Sequence, residues 1–233
     1  MRAQQAARSI TAGIAMINAR PVVIAVVACI GLAWAAHQGA CTEPKVIRIV
    51  ALGDSLTAGE GVASRDAFPA KLESALRARG QPVQVANAGV SGDTAARGLD
   101  RLDRSVPDDT DAVIVELGAN DMLKGFDPSV TRAALTAILR KLEVRRIAVL
   151  LCGVRTQPSG GDEYKGAFAA MFRDLAAEHD VLFYPAFDEA FVDDARLKLS
   201  DGLHPTAAGI EAVVMRILPT VEALIDRADR RER

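Results

Sequence analysis

Histidine is scarce in this chain, with 3 in 233 residues. His37 lies in an N-terminal stretch with the features of a leader, which leaves His179 and His204 in the body. A metallohydrolase built on clustered imidazole ligands needs more than that, so neither a metal nor any other cofactor is expected. Cysteine is equally rare, at 3. Cys29 and Cys41 sit near the start and Cys152 in an apolar run, so no disulfide framework is implied and Cys152 is expected to be a small buried thiol. An excess of one charge is also missing: 28 Lys and Arg oppose 30 Asp and Glu, for a net charge of −2. That balance gives no electrostatic case for nucleic acid. Internal repeats, low-complexity segments, a P-loop and a dinucleotide fingerprint are likewise absent.

One long apolar run is present, Val22 to Ala36, preceded by Arg2, Arg8 and Arg20 and ending in Ala33-Trp34-Ala35-Ala36. A charged region, an apolar region and small residues at a cleavage site are the marks of a secretory signal. The run is short for a full membrane span. Residues 1–40 are therefore expected to be a signal peptide, with a retained N-terminal membrane anchor as the alternative. Lipidation is a further alternative, since Val26-Val27-Ala28-Cys29 resembles a bacterial lipobox. Met16 is an alternative start. The product is expected to be exported, to the periplasm or beyond.

Residues 45–229 are expected to form one domain, and half of the chain's residues are apolar, enough for one sizeable core. Apolar runs near 46–52, 83–88, 111–117, 146–152 and 181–185 alternate with helical patterns, as in parallel strands joined by right-handed crossovers. Phe68, Leu72, Ala75 and Leu76 mark one helix face. Val130, Ala134, Ile138 and Leu142 mark a second, and Ala167, Ala170, Met171 and Leu175 a third. A last helix beginning after His204-Pro205 carries Ile210, Val213, Val214, Ile217, Val221 and Leu224. The expected fold class is α/β, a three-layer α/β/α sandwich on a five-stranded parallel sheet. Strand order 2-1-3-4-5 is an analogy with flavodoxin-like folds.

Chemistry-bearing residues fall at the carboxyl ends of these strands, where open α/β sheets bind ligands. GDSLTAGEG, Gly53 to Gly61, follows the first strand and puts Ser55 at a strand-to-helix turn. Gly53 lets the backbone approach a substrate, and a helix starting just after Ser55 would aim free N–H groups at developing negative charge. NAGVSGDT, Asn87 to Thr94, follows the second strand, and GAND, Gly118 to Asp121, the third. DGLHP, Asp201 to Pro205, precedes the final helix. A serine hydroxyl needs a base to take its proton, and the base needs a partner to fix its tautomer; His204 and Asp201 supply these. The oxyanion of an acyl-transfer intermediate wants preorganised donors, which the Ser55 N–H, the Gly89 N–H and the Asn120 amide offer. Taken one at a time, each motif is also an ordinary turn, with Asp93 and Asp121 capping helices and Pro205 opening the last one.

Together these blocks resemble the SGNH, or GDSL-type, hydrolase family, in wording its thioesterase I, lysophospholipase and arylesterase branch. The family letters fall on Ser55, Gly89, Asn120 and His204. The resemblance implies a flavodoxin-like SGNH fold, Ser55 as nucleophile, His204 and Asp201 as the rest of a catalytic triad, and an oxyanion hole of Ser55, Gly89 and Asn120. It covers about Val46 to the C-terminus.

The implied activity is hydrolysis of carboxylic ester or thioester bonds through an acyl-enzyme, on a small-molecule or lipid-like acyl substrate, with possible membrane association confined to the N-terminal segment. The loop Gly153 to Asp162 is expected to overhang the site, and Arg155, Thr156 and Gln157 make it more polar than that branch leads one to expect. Arg155 is either a partner for a substrate carboxylate or phosphate or a solvated surface residue. A carbohydrate O-acetylesterase of the cell envelope and a non-catalytic envelope binding protein stand as alternatives. His179 is expected near a helix C-terminus, satisfying carbonyls rather than catalysing.

Overall fold

The computed structural model describes residues 45–155 and 161–232. The signal peptide or anchor expected over 1–40, with Cys29 and Cys41, lies outside the described residues, as do Thr156 and Gln157. No helix among the described residues is long and apolar enough to cross a membrane.

Five strands form one parallel sheet: β1 (Ile47–Gly53), β2 (Val83–Gly89), β3 (Ala112–Glu116), β4 (Ala148–Cys152) and β5 (Leu182–Tyr184). Their order is β2-β1-β3-β4-β5, as the flavodoxin analogy implies. Between and after them run α1 (Ser55–Ala58), α2 (Phe68–Ala78), α3 (Ala95–Asp100), α4 (Leu102–Ser105), α5 (Ala119–Leu123), α6 (Pro128–Val144), α7 (Asp162–Glu178) and α8 (Ala207–Glu232).

The side-chain period of two splits the strands between two cores. Ile47, Ile49, Ala51, Ala112, Ile114, Ala148 and Leu150 pack with Phe68, Leu72 and Leu76 of α2 and Ile210, Val213, Ile217, Val221 and Leu224 of α8. On the other face Val50, Leu52, Val113, Val115, Val149 and Leu151 pack with Leu102, Leu135, Ile138, Leu142, Phe168, Phe172 and Leu175. Both faces of the sheet are covered, as an all-parallel sheet requires.

Two expected helix faces are kept in part: Ala134, Ile138 and Leu142 of α6 and Met171 and Leu175 of α7 are buried, and the rest are not. In α6 Val130 is exposed, while Thr131 turns inward and donates its hydroxyl to Asp121 Oδ1 at 3.0 Å. A polar residue with a buried partner thus displaces a valine from the inner stripe. In α7 Ala167 is exposed and Ala170 only half-buried, and the inner face is Phe168, Met171, Phe172 and Leu175. Two phenylalanines bury more apolar surface than two alanines, so they take the inner positions beside Met171 and Leu175.

Pro205 does not open the last helix. It forms an isolated antiparallel bridge with Lys198, and Thr206 Oγ1 accepts the Gly209 N–H at 3.2 Å before α8 begins. His179 is the C-cap of α7, its ring 3.9 Å from Glu143.

Candidate active site

At the end of β1 the chain turns sharply. Asp54, with φ −102° and ψ −142°, is the N-cap of α1, and its Oδ1 accepts the Leu56 N–H at 3.0 Å. Ser55 is the first helical residue, so its own N–H has no acceptor within the helix. The expected helix after Ser55 is a single turn, ended by Gly59 at φ +83°. Donors here act as local N–H groups rather than through a long helix dipole. No side chain larger than hydrogen fits at Gly53, where a Cβ would stand 2.0 Å from Thr57 Oγ1 and 2.7 Å from Glu116 Oε2.

The loop before α8 brings the distant partners to this turn. His204 Nε2 lies 2.9 Å from Ser55 Oγ, and His204 Nδ1 lies 2.6 Å from Asp201 Oδ2. Asp201 Oδ1 meanwhile accepts the Leu203 and His204 N–H groups at 2.8 and 3.0 Å. The hydrogen bond from His204, followed by those two backbone bonds, holds the Asp201 carboxyl down at about 2. It is therefore ionised at neutral pH and accepts from Nδ1–H, which leaves Nε2 free to accept from serine. The loop is anchored by the Leu199 N–H to His204 carbonyl and Thr206 N–H to Leu197 carbonyl bonds, both 2.8 Å.

Asn120, the second residue of α5, lines the same cleft as Ser55 and His204. One of its amide hydrogens goes to Asp54 Oδ2 at 2.9 Å, and the other is left for a ligand. Gly118, at φ +117°, starts this helix so close to Phe172 that a Cβ would stand 2.9 Å from its ring. Asp121 is buried and reaches away from the cleft, accepting the Ala95 N–H at 2.9 Å at the start of α3. It caps a helix in another segment.

Gly89 is placed differently from its expected role. Its N–H donates to Asn87 Oδ1 at 2.9 Å, and it does not line the cleft. A Cβ at Gly89 would come 2.2 Å from the Ala58 nitrogen, so the glycine serves close packing of β2 against α1. The residues of this turn that do face the cleft are Ser91 and Gly92, the latter at φ +79°. Of the two glycines in NAGVSGDT, Gly89 ends the strand and Gly92 lies in the turn.

Arg101 belongs to none of the four motifs. It is 5% exposed and donates to Asp93 Oδ2 at 2.6 Å, to the Gly53 carbonyl at 2.9 Å, to the Ala88 carbonyl at 2.8 Å and to Ser105 Oγ at 3.1 Å. Asp93 thus pairs with a guanidinium instead of capping α3, a task Thr94 takes. The planar fork ties the ends of β1 and β2 to the Ser91–Asp93 turn. The available signal was an arginine eight residues after an aspartate, which only the fold makes meaningful.

The cleft measures about 570 Å³. Leu56, Met122, Leu123, Val154, Phe191 and Leu203 give it an apolar wall. Arg155 stands at its margin, its guanidinium paired with Asp193 and its N–H given to Asp188 Oδ1 at 2.8 Å. An arginine already paired is poorly suited to capture a substrate anion. Among the described residues no group of three or more His, Cys, Asp or Glu is arranged to hold a metal ion.

Residues 51–212 match the GDSL-like lipase/acylhydrolase family. The esterase TesA of Pseudomonas aeruginosa is 30% identical over 84% of this chain and 96% of its own length. An arylesterase of Vibrio mimicus is 35% identical over 68% of this chain and 80% of its own. Among solved structures, the SGNH-hydrolase family esterase AlinE4 is 41% identical with a TM-score of 0.66, covering 78% of this chain and 98% of that one. The crystal structure of TesA gives a TM-score of 0.72 at 30% identity, over 77% and 99%. Shared sequence and a shared sheet lead to one assignment: the chain belongs to the GDSL-like lipase/acylhydrolase family, the SGNH hydrolases, and is an enzyme of ester-bond hydrolysis.

Proposed function

We propose that this enzyme is a serine esterase cleaving carboxylic ester or thioester bonds of apolar acyl substrates through an acyl-enzyme. The observation that carries the reading is the continuous contact from Ser55 Oγ through His204 to Asp201. His204 Nε2 takes the Ser55 proton as the hydroxyl oxygen bonds to the carbonyl carbon, and the carbonyl π-pair moves onto oxygen. Collapse of that intermediate expels the alcohol or thiol, which receives the proton from His204. Water, deprotonated by the same histidine, then repeats the attack and releases the acid and Ser55.

The developing oxyanion is held by the Ser55 N–H, the free hydrogen of Asn120 Nδ2 and the Gly92 N–H. Gly92 replaces Gly89 in this role because its N–H has no acceptor among the described residues, whereas that of Gly89 is bonded to Asn87.

The apolar wall of the cleft favours an acyl chain over a sugar ring as the group seated beside Ser55. The relatives named arylesterase and esterase support cleavage of an ester bond. Residues 1–40 are assigned as an export leader, cleaved or retained as an anchor, on the strength of three arginines followed by the Val22 to Ala36 run. With such a leader the domain would work in the periplasm or outside the cell, with any membrane association through the leader.

A fluorophosphonate probe tests the nucleophile directly. Labelling that maps to Ser55 and disappears in Ser55→Ala is the expected result. A folded protein that takes no label would favour a binding protein.

A further inference from the structure

Beneath the nucleophile turn lies a carboxyl that acyl transfer does not use. Glu116, the last residue of β3, is fully buried. Its Oε2 accepts the Thr57 hydroxyl at 2.8 Å and the Asp54 N–H at 3.4 Å, while Oε1 is buried with no partner among the described residues. No cation pairs with it there. The titratable and charged groups around the pair are Asp54 on the turn, His204 beyond it, Cys152 at the end of β4, and Arg101. The guanidinium of Arg101 is already taken by Asp93, Ser105 and two carbonyls.

Two carboxylates cannot both ionise in so dry a place. Burial first, and the neighbouring Asp54 charge second, push the Glu116 carboxyl well above its usual range. Burial raises Asp54 only to about 6, because the Leu56 N–H and the Asn120 amide stabilise its charged form. One proton shared between them therefore resides on Glu116. A neutral carboxyl has one acceptor oxygen and one O–H donor. Oε2 is the acceptor already in use, and Oε1 is the atom without a partner.

We propose that Glu116 is a proton-bearing positioning residue: as a neutral acid it holds Thr57 and the Asp54 turn from below and leaves the Asp54 carboxylate ionised and aimed at Asn120. It touches neither substrate nor reacting atoms. Its influence runs through Asp54 Oδ2 to Asn120 Nδ2, a 2.9 Å bond, and from there to the oxyanion. The role rests on the serine esterase reading above.

The test compares Glu116→Gln and Glu116→Met in the full chain. Glutamine reproduces one acceptor and one donor without charge, whereas methionine fills the space with neither. Glu116→Met is expected to lower kcat about tenfold or more with KM within about twofold, as misplacement of a catalytic group does. Glu116→Gln is expected to rescue kcat to within about threefold. In an Asn120→Ala background Glu116→Met should add no further loss, because both act on one donor. A glutamine variant as damaged as the methionine one would overturn the neutral acid. So would full additivity with Asn120→Ala, or a change confined to KM.

Should Glu116→Met fail to fold, Thr57→Val removes the same hydrogen bond and is held to the same criteria. An infrared difference spectrum between wild type and Glu116→Gln at about pH 8, where ordinary carboxyls are ionised, gives a readout independent of turnover. A protonated carboxyl C=O band lost in the variant is expected. Its absence overturns the proposal alone, whereas a wild type without Ser55-dependent turnover overturns the esterase reading and the positioning role with it.

Discussion

Asn120 donates to Asp54 Oδ2 at 2.9 Å, so the residue immediately before Ser55 orients the amide proposed to receive the oxyanion. The proposed nucleophile and the proposed oxyanion donor are thus aligned by one side chain, whose other oxygen caps the helix that starts at Ser55. Asn120→Ala is expected to lower kcat by about 10²–10³, the usual effect of deleting one such donor, with little change in KM. Steady-state kinetics on a soluble ester checks this, and unchanged turnover would remove Asn120 from the hole.

Asp201 should matter for rate rather than binding. In Asp201→Asn the amide can present its NH2 group to Nδ1, which favours the tautomer with the proton on Nε2, where the base is needed. A fall in kcat of about 10³–10⁴ is expected, with KM nearly unchanged. If KM rises while kcat holds, Asp201 belongs to substrate binding.

Arg101 and Asp93 are both nearly inaccessible, so the worth of the pair differs from the cost of breaking it. Arg101→Met leaves the Asp93 carboxylate buried without a cation, and the expected loss is about 3–5 kcal/mol in urea denaturation. The Arg101→Met, Asp93→Leu double variant should recover part of that loss. Equal stability of the single and double variants would contradict the buried-charge explanation.

The raised Asp54 carboxyl has a stability signature of definite sign. Its folded value of about 6 lies above the unfolded value of about 4. Between those values the native state holds the proton more tightly than the unfolded chain, so this group's contribution to stability falls as pH rises. Asp201 acts oppositely: held at about 2 in the native state, it contributes stability above about pH 4 that is lost as pH falls through its folded value. Urea midpoints measured from about pH 4 to about pH 6 should therefore decline less in Asp54→Asn than in wild type. Parallel curves would mean that Asp54 is not shifted.

Much of this was legible in the sequence because strand runs, turn glycines and the Ser, Asn, Asp and His residues obey local rules. The five strands lie within about two residues of their expected ends, and the final helix buries every residue of its expected stripe. What was not legible depends on contacts between distant segments. Thr131 turns inward where Asp121 accepts its hydroxyl, and Val130 beside it is left exposed. Gly89 and Gly92 are indistinguishable as letters. They part when the Asn87 side chain takes the N–H of one and the turn sets the other in the lining of the cleft. Arg101 and Glu116 carry no motif. Their meaning comes from burial beneath a turn built by other strands, which periodicity does not reveal.

The acyl-enzyme is proposed to form on Ser55. Hydrolysis of p-nitrophenyl esters from acetyl to palmitoyl, by the full chain and by Ser55→Ala under identical conditions, tests it most directly. The expected result is turnover that vanishes in Ser55→Ala, with an optimum at an acyl chain longer than acetyl, as the apolar wall of Met122, Val154 and Phe191 requires. Turnover that survives in Ser55→Ala, or none at any length from folded wild type, would contradict the account.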